Sequence, residues 1–324
     1  MNHSTFKSFT FGIGLFFTLP LVYGNSSSPS SSDGTLYINK SKTHKVAPVK
    51  YGFHYEEIGM MGEGALHAEL IRNRSFEEAT PPAGLSVKNG LYENVPAPRV
   101  KEKKVFQADP LIGWTTYPLS YTPVFISRTD ENPMSGENKY SMLVNVTEDI
   151  ANHPDALILN RGYYGMNLKT DTSYRLSLFL KNRNYSAPLR VFLVDEWGQR
   201  VSNVIEVNVG NRDWTKYTGE LKPEKNVRRG MFAIQPMSKG QFQIDVVSLF
   251  PSDTWNDGKS VFRKDIVQNL KEFSPSFIRF PGGCIVHGVN EETMYHWKKT
   301  LGPIENRPGQ WSKWAPYYRT DGIG

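Results

Sequence analysis

Two stretches of the 324-residue chain carry residues that could do chemistry. One is FIRFPGGCIVHG at 277–288, where Arg279 sits in a short apolar run that Pro281-Gly282-Gly283 stops, followed by the chain's single cysteine, Cys284. A charge in a buried strand needs a partner, so Arg279 calls for a carboxylate or a polar ligand. Gly282 and Gly283 permit backbone shapes and a close approach that a side chain would block. The other stretch is YGFHYEEIG at 51–59, which brings Glu56 and Glu57 to the end of a strand. Carboxylates there can serve as acids or bases. Neighbouring strand residues face opposite ways, so at most one of the two points at a given site and they do not form a paired dyad.

The elements that position these residues follow from pattern. Phe262, Ile266, Leu270 and Phe273 lie at helical spacing, which predicts an amphipathic helix over 261–273 that Ser274-Pro275 ends. Helix, tight turn, buried strand and glycine loop is the order of a parallel βα barrel or sheet, whose active sites lie at the carboxyl ends of strands. A strand is expected over 35–49, another over 51–59, and a short helix over 62–73 with Leu66 and Leu70 on one side.

From about Pro110 to Pro251 the pattern changes to short alternating runs: Tyr174, Leu176, Leu178 and Leu180; Leu189, Val191 and Leu193; Ile205, Val207 and Val209; Phe242, Ile244 and Val246. Turns are expected at Asp213-Trp214 and Lys239-Gly240. This spacing predicts an antiparallel β-sandwich or jelly roll, inserted between the first and second βα units, since surface loops tolerate long insertions. The expected fold class is α/β plus all-β, the start of a (β/α)8 TIM barrel interrupted by an inserted β-sandwich and left incomplete after two units. Such a barrel leaves apolar strand edges exposed.

At the front, Lys7 and the apolar run 9–19 read as a secretory signal over 1–24, and the serines at 26–32 lie in a flexible linker over 25–34. The expected organisation continues with the first βα unit at 35–104, the sandwich at 105–253, and the second βα unit with a long aromatic-rich loop at 254–324. Export implies a secreted, extracellular or periplasmic protein with no membrane association after signal cleavage. Net charge is +6, but the charges are interspersed and no nucleic-acid motif is present. One cysteine excludes an intramolecular disulfide framework. His54, His67, His287 and His296 lack metal-ligand spacing, so no metal and no cofactor are expected. Aromatic residues make up 13% of the chain, which suits stacking on sugar faces as well as packing. Sequons begin at Asn39, Asn73, Asn145 and Asn184.

Residues 51–78, 277–288 and 297–324, with the sandwich between the first two, together resemble glycoside hydrolase family 51, the α-L-arabinofuranosidases. The sandwich is similar to the carbohydrate-binding-module-like domain of the larger secreted members. The resemblance implies a retaining glycosidase with one glutamate as nucleophile and another as acid/base, their carboxyls about 5 Å apart, both beyond Gly324 in the family's order. Within the chain it implies no catalytic carboxylate, only substrate-binding positions. Glu56 matches a glutamate that hydrogen-bonds the arabinofuranose. Arg279 matches an arginine that holds the nucleophile's carboxylate. Cys284 borders the same sugar, and Trp314 lines the pocket mouth. His287 stands where a glutamate is common. The implied partner is an arabinose-containing plant polysaccharide or oligosaccharide. Alternatives are a secreted non-catalytic carbohydrate-binding protein that relies on the sandwich, or a related furanosidase or xylosidase. The sequence does not fix the oligomeric state.

Overall fold

A computed structural model describes residues 38, 39, 41, 43, 45, 49, 51–58, 60–80, 86–89, 91–93, 109–288, 291, 293–311 and 319–320. The expected signal, the serine linker, most of the strand at 35–49, Trp314 and the last four residues lie outside this set. The chain divides into two units, 1–47 and 48–324. In that first unit the described feature is a turn in which the Asn39 Oδ1 accepts from the Ser41 amide at 3.0 Å.

The larger unit opens with β1 (Phe53–His54) and the hairpin β2 (Ser86–Lys88) and β3 (Leu91–Glu93). Then come β4 (Trp114–Tyr117), β5 (Val124–Thr129), β6 (Ser141–Val146), β7 (Leu157–Asn160), β8 (Met166–Leu168), β9 (Tyr174–Asn182), β10 (Pro188–Val194), β11 (Ile205–Asn208), β12 (Thr215–Leu221), β13 (Val227–Gln235) and β14 (Gly240–Pro251). These build two antiparallel sheets, ordered β11-β10-β13-β7-β4 with β8 on β13, and β12-β9-β14-β6-β5. The alternation read from the sequence is the reason. Tyr174, Leu176, Leu178, Leu180, Leu189, Val191, Phe242 and Ile244 all point into one shared core with Phe232 and Ile234.

The segment after β1 departs from the expected helix. Residues Gly62–Leu66 make one wide turn, interrupted by Glu63 (ψ 134°) and by Gly64 at φ 78°. A Cβ on Gly64 would stand 2.6 Å from the Tyr163 ring, so that position needs glycine on both steric and conformational grounds. Beyond it the chain runs as an extended strap along β14. A bulge between Asp245 and Ser248, with Val246 at φ 41°, bends β14 where its pairing with β6 has ended. The strap takes the freed edge: Leu70 N donates to Leu249 O at 3.1 Å, and Val247 N donates to Arg74 O at 3.0 Å. Ile71 and Phe76 enter the sandwich core, and Trp114 Nε1 donates to Asn73 O at 3.1 Å. Leu66 and Leu70 have helical spacing, but the pull of the core and the unpaired edge decides. Asn73 is buried, with its amide bonded to Pro110 O and its Oδ1 to the Glu78 amide, so its sequon is closed to a glycan.

After β14 come α1 (Lys264–Glu272) and β15 (Ile278–Arg279). The helix forms inside the expected span, with Asp265 in its first turn and Lys271 in its last, each sign matched to the helix dipole. Ser274 at φ 49° and Pro275 end it. β15 pairs with β1 in parallel, Phe53 opposite Ile278 and His54 opposite Arg279. Neither β15 nor α1 is buried: Phe277 is 53% exposed, Ile278 56% and Phe280 41%. The expected buried strand is therefore open to solvent, because the two-stranded pair has no second layer over it among the described residues. Finally α2 (Cys284–His287) is a single turn, and β16 (Gln310–Trp311) pairs with β17 (Arg319–Thr320). Ser135 Oγ and Asn138 Nδ2 both donate to Glu305 O, which ties this tail to a sandwich loop.

Candidate active site

The parallel register builds the site. Hydrogen bonds run from Phe53 N to Phe277 O (3.0 Å), Tyr55 N to Arg279 O (2.8 Å) and Glu57 N to Pro281 O (2.9 Å). The ladder thus carries Glu56 to the start of the Pro-Gly-Gly loop. The strands lie so close that a Cβ on Gly52 would meet Phe277 O at 2.5 Å. Gly282 sits at φ 143°, and a Cβ there would stand 2.3 Å from Glu56 Cγ. The glycine is what lets the Glu56 side chain lie against the loop. Gly283 N then donates to Glu56 Oε1 at 3.3 Å.

Arg279 reaches the same loop: its Nη2 is 3.5 Å from the point where a Gly283 side chain would begin. No carboxylate pairs with Arg279 among the described residues. His54 shares the strand face of Glu56, and its Nε2 is 3.8 Å from Glu56 Oε2. Alternation placed both on one face, but the search for metal spacing passed His54 over. Cys284 follows the loop directly as a half-buried free thiol at the start of α2. His287 is exposed, with Nδ1 2.7 Å from Gly288 O. The structure therefore brings Glu56, Arg279 and the Gly-Gly loop together, with His54 added. Trp314 lies outside the described residues.

Glu57 faces the other way, as two adjacent strand residues must. It is 2% exposed, and burial pushes its carboxyl up to about 7, while the nearby Gly62 and Glu63 amides act against that rise. Neither oxygen has a hydrogen bond of full geometry. Behind it the strap holds a second set of buried ionisable groups that sequence reasoning missed. Glu69 accepts from Ile71 N (3.0 Å), Leu249 N (2.8 Å) and Ser248 Oγ (2.6 Å), and lies 3.7 Å from Arg74 Nη1. Burial raises the Glu69 carboxyl and the Arg74 charge opposes it. His67 stacks edge-on to Phe250 and is driven down to about 3, first by burial and then by Arg74. The signal was the density of acids, Glu57, Glu63, Glu69, Glu77 and Glu78, in one short stretch that also had to pack.

A carboxylate and a guanidinium converge on a glycine loop at the carboxyl ends of adjacent parallel strands, an arrangement able to hydrogen-bond a polar ligand. Residues 269–324 match the family model "Alpha-L-arabinofuranosidase 1 domain". The chain is 28% identical over 279 residues to α-L-arabinofuranosidase 1 of Arabidopsis thaliana, covering 85% of this chain and 37% of that protein. It is 26% identical to the probable α-L-arabinofuranosidase A of Aspergillus flavus, covering 96% of this chain and 43% of that protein. Identity is also 26% to the extracellular exo-α-L-arabinofuranosidase of Streptomyces chartreusis, covering 85% and 30%. The arabinose-bound MgGH51 α-L-arabinofuranosidase has the same fold with TM-score 0.69 at 24% identity, over 87% of this chain and 42% of that one. The chain is thus similar to α-L-arabinofuranosidases along most of its length, and it spans 30–43% of the length of these curated relatives.

Proposed function

We propose that this chain is the N-terminal part of a secreted, retaining α-L-arabinofuranosidase that releases terminal α-L-arabinofuranosyl units from arabinan or arabinoxylan. In this reading β1, α1 and β15 are the first elements of a (β/α)8 barrel, and 105–253 is a carbohydrate-binding-module-like sandwich inserted between them. Glu56 accepts hydrogen bonds from the sugar's hydroxyls. Arg279 holds the nucleophile's carboxylate in its ionised form, as a forked guanidinium does. Cys284 borders the sugar, and Trp314 lines the pocket mouth. The observation that supports this most directly is the register that lays Glu56 against Gly282 and Gly283 beside Arg279. The acid/base and nucleophile glutamates come from sequence after Gly324, and the two carboxyls divide the retaining mechanism between them. Export is supported by the extracellular Streptomyces relative.

The test uses p-nitrophenyl α-L-arabinofuranoside. The longer protein hydrolyses it, residues 1–324 alone do not, and Glu56→Gln in the longer protein lowers kcat/KM roughly ten- to hundredfold, the cost of one hydrogen bond to a charged group. Hydrolysis by 1–324 alone, or an unimpaired Glu56→Gln variant, overturns the assignment.

A further inference from the structure

A cleft of about 700 Å³ opens between the sandwich, the strap and the first turns of α1, lined by residues other than the Glu56–Arg279 pair. Its size falls within the roughly 300–1,000 Å³ typical of small-molecule sites. A second hollow of about 350 Å³ shares Asn167 and Lys169 as walls and extends toward Asn226 and Arg228, so the two make an elongated trough. Tyr164 stands on its lip, 81% exposed, on the turn before β8. A ring so exposed on an ordered turn offers an apolar face that buries nothing within the chain. Asn167 projects from the exposed middle position of β8, and its carboxamide makes no hydrogen bond among the described residues. At the back of the cleft the Thr254 hydroxyl, in a residue 1% exposed, has no hydrogen-bond partner.

Charge narrows the choice of ligand. Arg263 and Asp265 pair with each other across 2.5 Å. Lys169, Lys264 and Arg228 then face Asp253, Asp171 and the buried Glu69, which Arg74 and three donors already engage. So near a balance is wrong for a phosphate or a polyanion. One stacking ring, free carboxamide and hydroxyl groups, and an elongated shape match an uncharged chain of sugars. We propose that this trough is a second glycan-binding site, separate from the Glu56–Arg279 site, that holds a neutral oligosaccharide with one residue stacked on Tyr164 and its hydroxyls bonded to Asn167. The proposal takes from the arabinofuranosidase reading only the choice of probe.

The experiment is calorimetric titration of the 324-residue chain with α-1,5-linked arabinohexaose and, separately, with β-1,4-linked xylohexaose. Tyr164→Ala is expected to weaken binding at least tenfold and Asn167→Ala at least threefold, with Arg212→Ala, on an exposed turn outside the trough, within twofold of the unaltered chain. Both substituted side chains are exposed, and thermal melts confirm that the variants fold; if Tyr164→Ala does not, Asn167→Ala decides. Binding that Glu56→Gln abolishes and the trough variants leave unchanged, or no binding of either sugar at millimolar concentration, overturns the proposal. Hydrolysis by the longer protein is measured independently, so a failed second site and a failed enzymatic reading give different results.

Discussion

The antiparallel and parallel parts of this molecule are built from similar apolar runs but bury them differently. In the sandwich, Leu178, Phe232, Phe242 and Ile244 are all 0% exposed, because each sheet lies over the inner face of the other. In the parallel pair, Phe277, Ile278 and Phe280 are between 41% and 56% exposed. Parallel strands are ordinarily covered on both faces, and here the cover is absent among the described residues. The contrast separates two roles. The sandwich with its strap is where stability resides, and the thinly covered pair is where Glu56 and Arg279 meet. On the proposed reading, the rest of the enzyme packs over β15.

The sharpest way to break that division is to truncate one apolar side chain on each side. Phe232→Ala should cost about 3–5 kcal/mol, as expected of a fully enclosed aromatic, whereas Ile278→Ala in the same 324-residue chain should cost less than about 0.5 kcal/mol. Urea titration of both variants measures this. Comparable losses would mean that β15 is as well packed as the sandwich core, and the comparison would fail.

A smaller effect tests whether the parallel pair is functional and not merely loose. Gly282→Ala puts a methyl group where only 2.3 Å separates it from Glu56 Cγ, at a φ of 143° that side chains avoid. Glu56 has to move. In the longer protein kcat/KM should fall roughly ten- to hundredfold, as expected when a positioned group shifts by about an ångström. The urea midpoint should move far less than for Phe232→Ala. An unchanged rate with an intact fold would detach Glu56 from the reaction.

How far the sequence could be read follows the same boundary. Alternation at period two has no competing explanation over Tyr174–Asn182, and the structure buries Tyr174, Leu176, Leu178 and Leu180 as read. The short repeat Leu66–Leu70 does have one: the spacing of one helical turn also occurs in an extended strap that inserts Leu70 and Ile71 where it can. What decides between them is β14's unpaired edge after its bulge, a tertiary fact that local spacing does not encode. Glu56, Arg279 and Cys284 could be picked out because they flank glycines in a strand–loop pattern. That Glu56 and Gly282 touch depends on a pairing between residues more than two hundred positions apart, which local spacing does not encode. The exposure of Ile278 and Arg279 was misread for a related reason: an apolar run shows a preference for burial, not whether anything is there to bury it.

The mildest test uses pH, through two groups that burial shifts in opposite directions, Glu57 beside the site and His67 in the strap, where Glu69 moves the same way as Glu57. Glu57, beside the site, sits at about 7 when folded against an ordinary 4.5. Between those values the folded state binds more protons than the unfolded one, so this group withdraws stability as pH rises from about 4.5 to 7. His67, in the strap, sits at about 3 against an ordinary 6.5. There the unfolded state binds more protons, so stability is withdrawn as pH falls from 6.5 toward 3. The two slopes oppose each other between about 4.5 and 6.5 and flatten the profile of the unaltered chain. Relative to the unaltered chain, Glu57→Gln should gain stability as pH rises from about 4.5 to 7. His67→Gln should do the reverse, gaining stability over the unaltered chain as pH falls from about 6.5. Urea titrations across that range measure both. If the two variants differ from the unaltered chain in the same sense, Glu57 and His67 are not shifted in opposite directions, and burial of the acid beside the site and of the base in the strap does not govern the pH dependence.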